Sequence, residues 1–269
     1  MALSPNMNVM LRAAEKAARS LVRDFGEVEQ LQVSQKGPAD FVSAADHRSE
    51  EIIYEELSRA RKDFGFLMEE RGEIKGSSNF RFIVDPLDGT TNFLHGIPHW
   101  NITIAIEEND EIVAGIVYDP IRDEMFRAEK AMGAFLRNKR LRISGRRDFS
   151  QSLIATGGIS PLHPTRKNML PQVEAVTKKS GDVRRMGAAA LDLAYVAAGR
   201  FEGFWEYDLK PWDVAAGGLI VKEAGGFISS LHGNDNPVYN GNVVAANGKI
   251  FDELKKTIVS ATANNKDAA

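Results

Sequence analysis

The chain has 269 residues, 43% of them hydrophobic and 26% charged, no cysteine, and a formal net charge of -3. That length allows one large unit with a sizeable core, and that charge advertises no general nucleic-acid surface. The missing cysteines exclude disulfides and thiolate metal sites, and no apolar run is long enough to cross a membrane.

Met1 to Asn6 lacks the apolar core of a signal peptide, which suits a cytoplasmic protein. From about Asn8 to Phe25, Val9, Met10, Ala13, Ala14, Ala17, Leu21 and Val22 recur at helical spacing, and Gly26 ends the helix. A loop, Lys36-Gly37-Pro38-Ala39-Asp40-Phe41, leads to a second helix from about Asp46 to Lys62. Its apolar face carries Ile52, Ile53 and Leu57, and Asp46 read alone caps it. Phe66-Leu67-Met68 is an apolar stretch ending in the acids Glu69-Glu70, which taken alone reads as a strand meeting a solvated turn.

Arg81-Phe82-Ile83-Val84 predicts a buried strand. Asp85 then stands at its end, and Pro86 is expected to stop the ladder there. Gly89 permits backbone angles that side chains resist, and Thr90 onward suits a helix start with unpaired N–H groups. Asn101 to Glu107 and Glu111 to Tyr118 alternate like strands of a hairpin around Glu108-Asn109-Asp110, with strand-like sequence continuing to Ile143. Beyond Leu153, short apolar runs alternate with helical ones, notably Ala188 to Ala198 and Val214 to Ala224, the latter closed by Gly225-Gly226. The tail, Ser260 to Ala269, reads as frayed.

The most specific string is Asp85-Pro86-Leu87-Asp88-Gly89-Thr90. With each residue type at roughly 5–7% of positions, such a pattern arises by chance about once per million positions or less. Paired acids attract divalent cations and helix-start amides attract phosphate, so the string points to metal-assisted phosphate chemistry. Asp88-Gly89 alone would be an ordinary turn. Downstream, Asp213 in Pro211-Trp212-Asp213-Val214 is a candidate helix cap, a role compatible with metal binding. Spacing does not decide whether Glu69, Asp85, Asp88 and Asp213 meet.

Glu69-Glu70, the run Asp85 to Phe93, and Trp212-Asp213 through Glu223-Ala224-Gly225-Gly226 resemble the signatures of the inositol monophosphatase family. The likeness runs from about Asn8 to Gly248, and Arg184 to Tyr195 ties it to the bacterial extragenic suppressor branch. The resemblance implies an α+β fold, a layered α-β-α-β-α sandwich shared with fructose bisphosphatases. It implies a single unit, with an N-terminal α+β half of about residues 1–145 and a C-terminal α/β half of about 146–260 carrying Asp213.

The resemblance also implies Mg²⁺ as cofactor. Glu69, Asp85 and the Leu87 carbonyl would hold one ion, and Asp85, Asp88 and Asp213 a second, with a third held weakly. Thr90 backed by Asp46 would orient the attacking water, with Glu69 among the catalytic residues. Leu87, Asp88, Gly89, Thr90, Arg184, Ala189, Glu206 and Asp213 would line the substrate, with Ser160 a further contact and Lys36 and Asp40 on a mobile loop. The implied activity is lithium-sensitive hydrolysis of inositol-1-phosphate and other polyol monophosphates in a homodimer. Two alternatives stand beside it: a fructose-bisphosphate or nucleotide phosphatase, and a regulatory partner of the transcription apparatus.

Other features read as structural. His95 and His99 are packing or loop residues, Trp100 and Trp205 core or interface aromatics, and Arg137 to Arg147 a solvated basic face.

Overall fold

The helical spacing at the N-terminus becomes α1 (Pro5–Phe25) in a computed structural model that describes residues 3–27, 33–37, 40–158, 169–233 and 235–264. Ser4 caps it, its hydroxyl accepting from the Met7 amide at 3.0 Å. Strands β1 (Val33–Gly37) and β2 (Asp40–Ser43) form a small antiparallel ribbon that leads into α2 (Ala44–Ala60). The cap of α2 is Ser43 rather than Asp46. Asp46 is the third helical residue, and its carboxylate accepts from the Ser43 amide at 2.8 Å, closing a capping box.

The larger sheet comes next. Its strands are β3 (Gly65–Met68), β4 (Gly72–Ile74), β5 (Phe80–Asp88) and, after the short α3 (Thr90–Leu94), β6 (Asn101–Glu108) and β7 (Glu111–Asp119). β8 (Glu124–Glu129), β9 (Gly133–Leu136) and β10 (Lys139–Arg140) complete it, in the order β10-β9-β8-β7-β6-β5-β3-β4. Asn109 and Asp110 turn the β6–β7 hairpin with φ of 50° and 64°, a left-handed conformation that short polar side chains tolerate. The strand-like sequence up to Ile143 yields a strand only as far as Arg140.

Pro86 does not end β5, which runs on to Asp88. Asp85 pairs with Thr103 and Asp88 with Asn101, so three steps along β5 match two along β6. The extra residue falls where proline, lacking an N–H, costs the ladder no bond.

The smaller sheet follows. β11 (Leu153–Thr156), α4 (Met169–Thr177), β12 (Asp182–Arg184), α5 (Ala189–Ala197), β13 (Gly203–Glu206) and α6 (Pro211–Glu223) lead to β14 (Phe227–Ser230). Then come α7 (Pro237–Asn240), β15 (Val243–Ala246) and α8 (Phe251–Asn264), with strand order β12-β11-β13-β15-β14. α8 carries the stretch read as frayed through Asn264 in helical form; residues 265–269 lie outside the described residues.

The layers follow from where apolar faces meet. α1 and α2 cover one face of the larger sheet, burying Met10, Leu21, Ile53 and Leu57 against Phe82 and Trp100. α5 and α6 fill the space between the two sheets, and α4 and α8 close the far side on Trp205 and Leu254. This is the α-β-α-β-α sandwich expected from the resemblance. Every residue of α5 is buried, as a helix covered on all sides requires. α6 comes so close to β7 that a Cβ on Gly115 would stand 2.9 Å from the Ala216 Cα. Its last turn is tied to the same sheet, because the Glu223 carboxylate accepts from the amides of Ala131 and Gly133, both at 2.7 Å. Among the described residues no helix is long and apolar enough to cross a membrane.

Candidate metal centre

Three carboxylates meet where β5, α3 and α6 begin or end: ligand oxygens of Asp85, Asp88 and Asp213 all lie within 4.8 Å of one another. Each is aimed by local structure. The Asp85 Oδ1 accepts from the Leu87 amide at 2.9 Å, and the Ser49 hydroxyl on α2 donates to the Pro86 carbonyl at 2.8 Å, fixing the slip in β5. The Asp88 Oδ2 accepts from Asn101 Nδ2 at 2.7 Å and from the Ala190 amide at 3.0 Å. α5 has no side-chain cap of its own, so Asp88, distant in sequence, satisfies its first turn. Asp213 is the third residue of α6 rather than its cap, and its Oδ2 accepts from the Lys210 amide at 2.7 Å.

Bringing these acids together is costly without a cation. Burial, then the charges of Glu69, Asp88 and Asp213, push the Asp85 carboxyl well above the usual carboxylate range. Burial pushes Asp88 up to about 6, against hydrogen bonds from Asn101 and the α5 amides. Burial and the Asp88 charge raise Asp213 as well. Three carboxylates that disfavour one another's ionised form, beside the Leu87 carbonyl, make a hard-oxygen donor set that suits a divalent cation such as Mg²⁺.

Glu69 lies in the turn after β3, its amide donating to the Val84 carbonyl at 3.3 Å. It stands outside the trio within 4.8 Å, though its charge acts on Asp85 and Asp213. Beside the trio, the Thr90 hydroxyl lies 3.1 Å from Asp46 Oδ1 and 3.1 Å from the Leu87 carbonyl. Asp46 Oδ2 is held by the Ser43 amide and hydroxyl. Burial raises the Asp46 carboxyl above its ordinary value, although hydrogen bonds from Ser43 and Thr90 act against it. Gly89 joins the acids to Thr90 with φ of 94°, and a Cβ there would press on the His99 carbonyl at 3.1 Å.

The predicted substrate residues divide. Glu206 ends β13, buried, and accepts from the Gly158 amide at 3.1 Å; Ala189 opens α5 next to the Asp88 contact. Arg184 is exposed on the edge strand β12 and paired with Asp182 at 2.5 Å, so it is engaged along its own strand. Ser160 and the side chains of Lys36 and Asp40 lie outside the described residues.

Sequence reading missed Asn101, which looks like an ordinary strand start, and Asp192, the one acid inside the apolar run Ala188 to Ala198. That isolation was the available signal for Asp192. Of the features read as structural, His99, Trp100 and Trp205 are core residues and His95 is exposed. The basic run is exposed, with Arg137 paired to Asp123 and Arg146 to Glu202 at 3.4 Å.

The sequence pattern described as the Inositol monophosphatase family matches residues 3–265. An inositol-1-monophosphatase of Mesorhizobium japonicum is 52% identical over 259 residues, covering 96% of this chain and 97% of its own. The Nus factor SuhB of Xylella fastidiosa is 39% identical over 264 residues, covering 96% and 95%. The crystal structure of the extragenic suppressor protein SuhB from Bartonella henselae superposes with a TM-score of 0.91 at 53% identity, over 95% of this chain and 98% of that one. With a three-aspartate cluster inside a match that spans nearly its whole length, the chain belongs to the inositol monophosphatase family.

Proposed function

We propose that this chain is a magnesium-dependent phosphomonoesterase that converts inositol-1-phosphate and water to inositol and phosphate, and that tolerates other polyol and sugar monophosphates. Family membership already makes it a phosphatase. The observation that carries the finer reading is the gathering of Asp85, Asp88 and Asp213 within 4.8 Å, beside the hydrogen-bonded pair Thr90–Asp46.

In this reading Glu69, Asp85, the Leu87 carbonyl, Asp88 and Asp213 hold two divalent cations, with a third bound more weakly. Bound there, Mg²⁺ supplies Lewis-acid polarisation of the phosphate, a lowered pKa for water, and charge stabilisation at the leaving oxygen. The chain's own residues do the rest. The Thr90 hydroxyl orients the incoming water and passes its proton toward Asp46, whose raised pKa suits it to act as a base. The Gly89 and Thr90 amides take phosphate oxygens. Glu206 and Ala189, at the smaller-sheet side, receive the polyol, with Arg184 at the rim. A cytosolic setting fits a chain without cysteine.

The test is phosphate release from a panel of monophosphates with magnesium, with and without lithium. Inositol-1-phosphate is expected to lead and lithium to inhibit; preference for fructose bisphosphate or a nucleotide would overturn the substrate assignment. A second reading, association with the transcription apparatus, is favoured by the 39% identical relative named Nus factor SuhB. Pull-down from cytosol with wild-type and Asp88→Asn protein tells whether such binding is separable from turnover. The homodimer is checked by light scattering in solution.

A further inference from the structure

Asp192 stands in the first turn of α5, an otherwise apolar helix enclosed between the sheets. Its side chain is 0% exposed, and among the described residues neither carboxyl oxygen has a hydrogen-bond partner. Burying a carboxyl without partners is costly, so packing alone does not account for an acid here. Two other acids act on it. Burial, then the charges of Glu206 on β13 and Asp88 on β5, hold the Asp192 carboxyl well above the usual carboxylate range. A carboxyl that keeps its proton is a hydrogen-bond donor. Of the two acids, Asp88 is already held by Asn101 and the Ala190 amide. Glu206 lies on β13, against which α5 packs. From another side Glu206 is fixed by the Gly158 amide at 3.1 Å and hemmed by Gly157, where a Cβ would fall 1.6 Å from its carboxyl carbon.

We propose that Asp192 is a positioning residue for polyol recognition: acting as a hydrogen-bond donor through one bridging water, it sets the orientation of the Glu206 carboxylate that receives substrate hydroxyls. The inference rests on the role given to Glu206 above. It assigns Asp192 no contact with phosphate or metal, and that separation makes it testable.

The experiment compares two substrates of the full-length enzyme with saturating magnesium: inositol-1-phosphate, and p-nitrophenyl phosphate, which has no polyol. Asp192→Ala is expected to raise KM for inositol-1-phosphate about tenfold, the effect of one lost hydrogen bond, with kcat little changed. Its kinetics on p-nitrophenyl phosphate should stay within about twofold of wild type. Asp192→Asn, whose amide also donates, should restore the KM. In a Glu206→Ala background, Asp192→Ala should add nothing, because the two act in series. If Asp192→Ala does not fold, Asp192→Leu fills the same volume and gives the same comparison.

Equal losses on both substrates, or a Glu206-independent effect, would overturn the proposal in favour of a purely structural role. If wild type shows no preference for inositol-1-phosphate, or Glu206→Ala leaves its KM unchanged, the substrate reading itself fails and takes the proposal with it. Those controls tell the two failures apart.

Discussion

Asn101 Nδ2 donates to Asp88 Oδ2 at 2.7 Å, across the point where β5 slips one residue against β6. The same oxygen accepts from the Ala190 amide, so Asp88 is held by donors from two layers. Asp88→Asn would set an amide donor against those donors as well as weaken a cation site. Turnover is expected to fall by about 10²-fold or more, roughly 3 kcal/mol of barrier. Asn101→Ala, which leaves the α5 amide in place, should cost about tenfold. Phosphate release at saturating magnesium measures both, and near-normal turnover of Asp88→Asn would remove that residue from the machinery.

The Thr90 hydroxyl and Asp46 carboxylate, 3.1 Å apart, are predicted to act as one unit. Thr90→Val and Asp46→Asn should each lower kcat by about 10²–10³-fold while leaving KM nearly unchanged. The double variant should be little worse than either single one, as expected for groups serving the same step. Additive losses would mean that the two act separately.

The repulsion among Asp85, Asp88 and Asp213 predicts a folding dependence on metal. Magnesium at about 100 times its Kd should add about 2.7 kcal/mol of stability. Asp213→Asn keeps an acceptor for the Lys210 amide but removes a charge, so the metal-free protein should melt higher and gain less from magnesium. Calorimetry with magnesium and with chelator reads both effects. A metal-free Asp213→Asn protein that melts lower would contradict the repulsion argument.

His99 predicts an acid limb. Its ring is buried, neither nitrogen is hydrogen-bonded among the described residues, and burial, helped by the nearby Arg122 charge, lowers its pKa to about 4. The unfolded side chain titrates near about 6.5, so between those values the unfolded state binds the extra proton. The contribution is therefore complete above about pH 6.5 and is lost as pH falls toward about 4, up to roughly 3 kcal/mol at 1.36 kcal/mol per unit. His99→Phe should flatten that part of the stability–pH curve, followed by denaturant unfolding at pH 7 and pH 4.5. An unchanged slope would show that other groups set it.

The elements that sequence made legible are those whose periodicity answers to burial on one side, as in α1 and the β6–β7 hairpin. Pro86 misled because a rule about ladders was applied where the register slips and no ladder bond is needed. Asp46 and Asp213 both look like caps in the sequence, although each stands three residues past the cap; from that position in a helix a carboxylate reaches back to the cap residue's amide. The aspartate cluster was announced by Asp85-Pro86-Leu87-Asp88, but the closeness of Asp213 depends on how two sheets stack, which local spacing does not encode. Asn101 and Asp192 escaped for the same reason: what singles each out is a neighbour brought by tertiary packing, Asp88 for both and Glu206 for the second.

α6 has a bearing on how the molecule must fail. It starts at the Asp213 turn, ends clamped by Glu223 to the β8–β9 bend, and leans on β14 with its opposite flank. Any shear of one sheet over the other is thereby transmitted to the Asp213 carboxylate. Loosening of the stack and loss of catalysis should arrive as a single event, with no half-melted species that still works, and engineers seeking room for insertions will find it at the periphery of the sheets rather than along this strut.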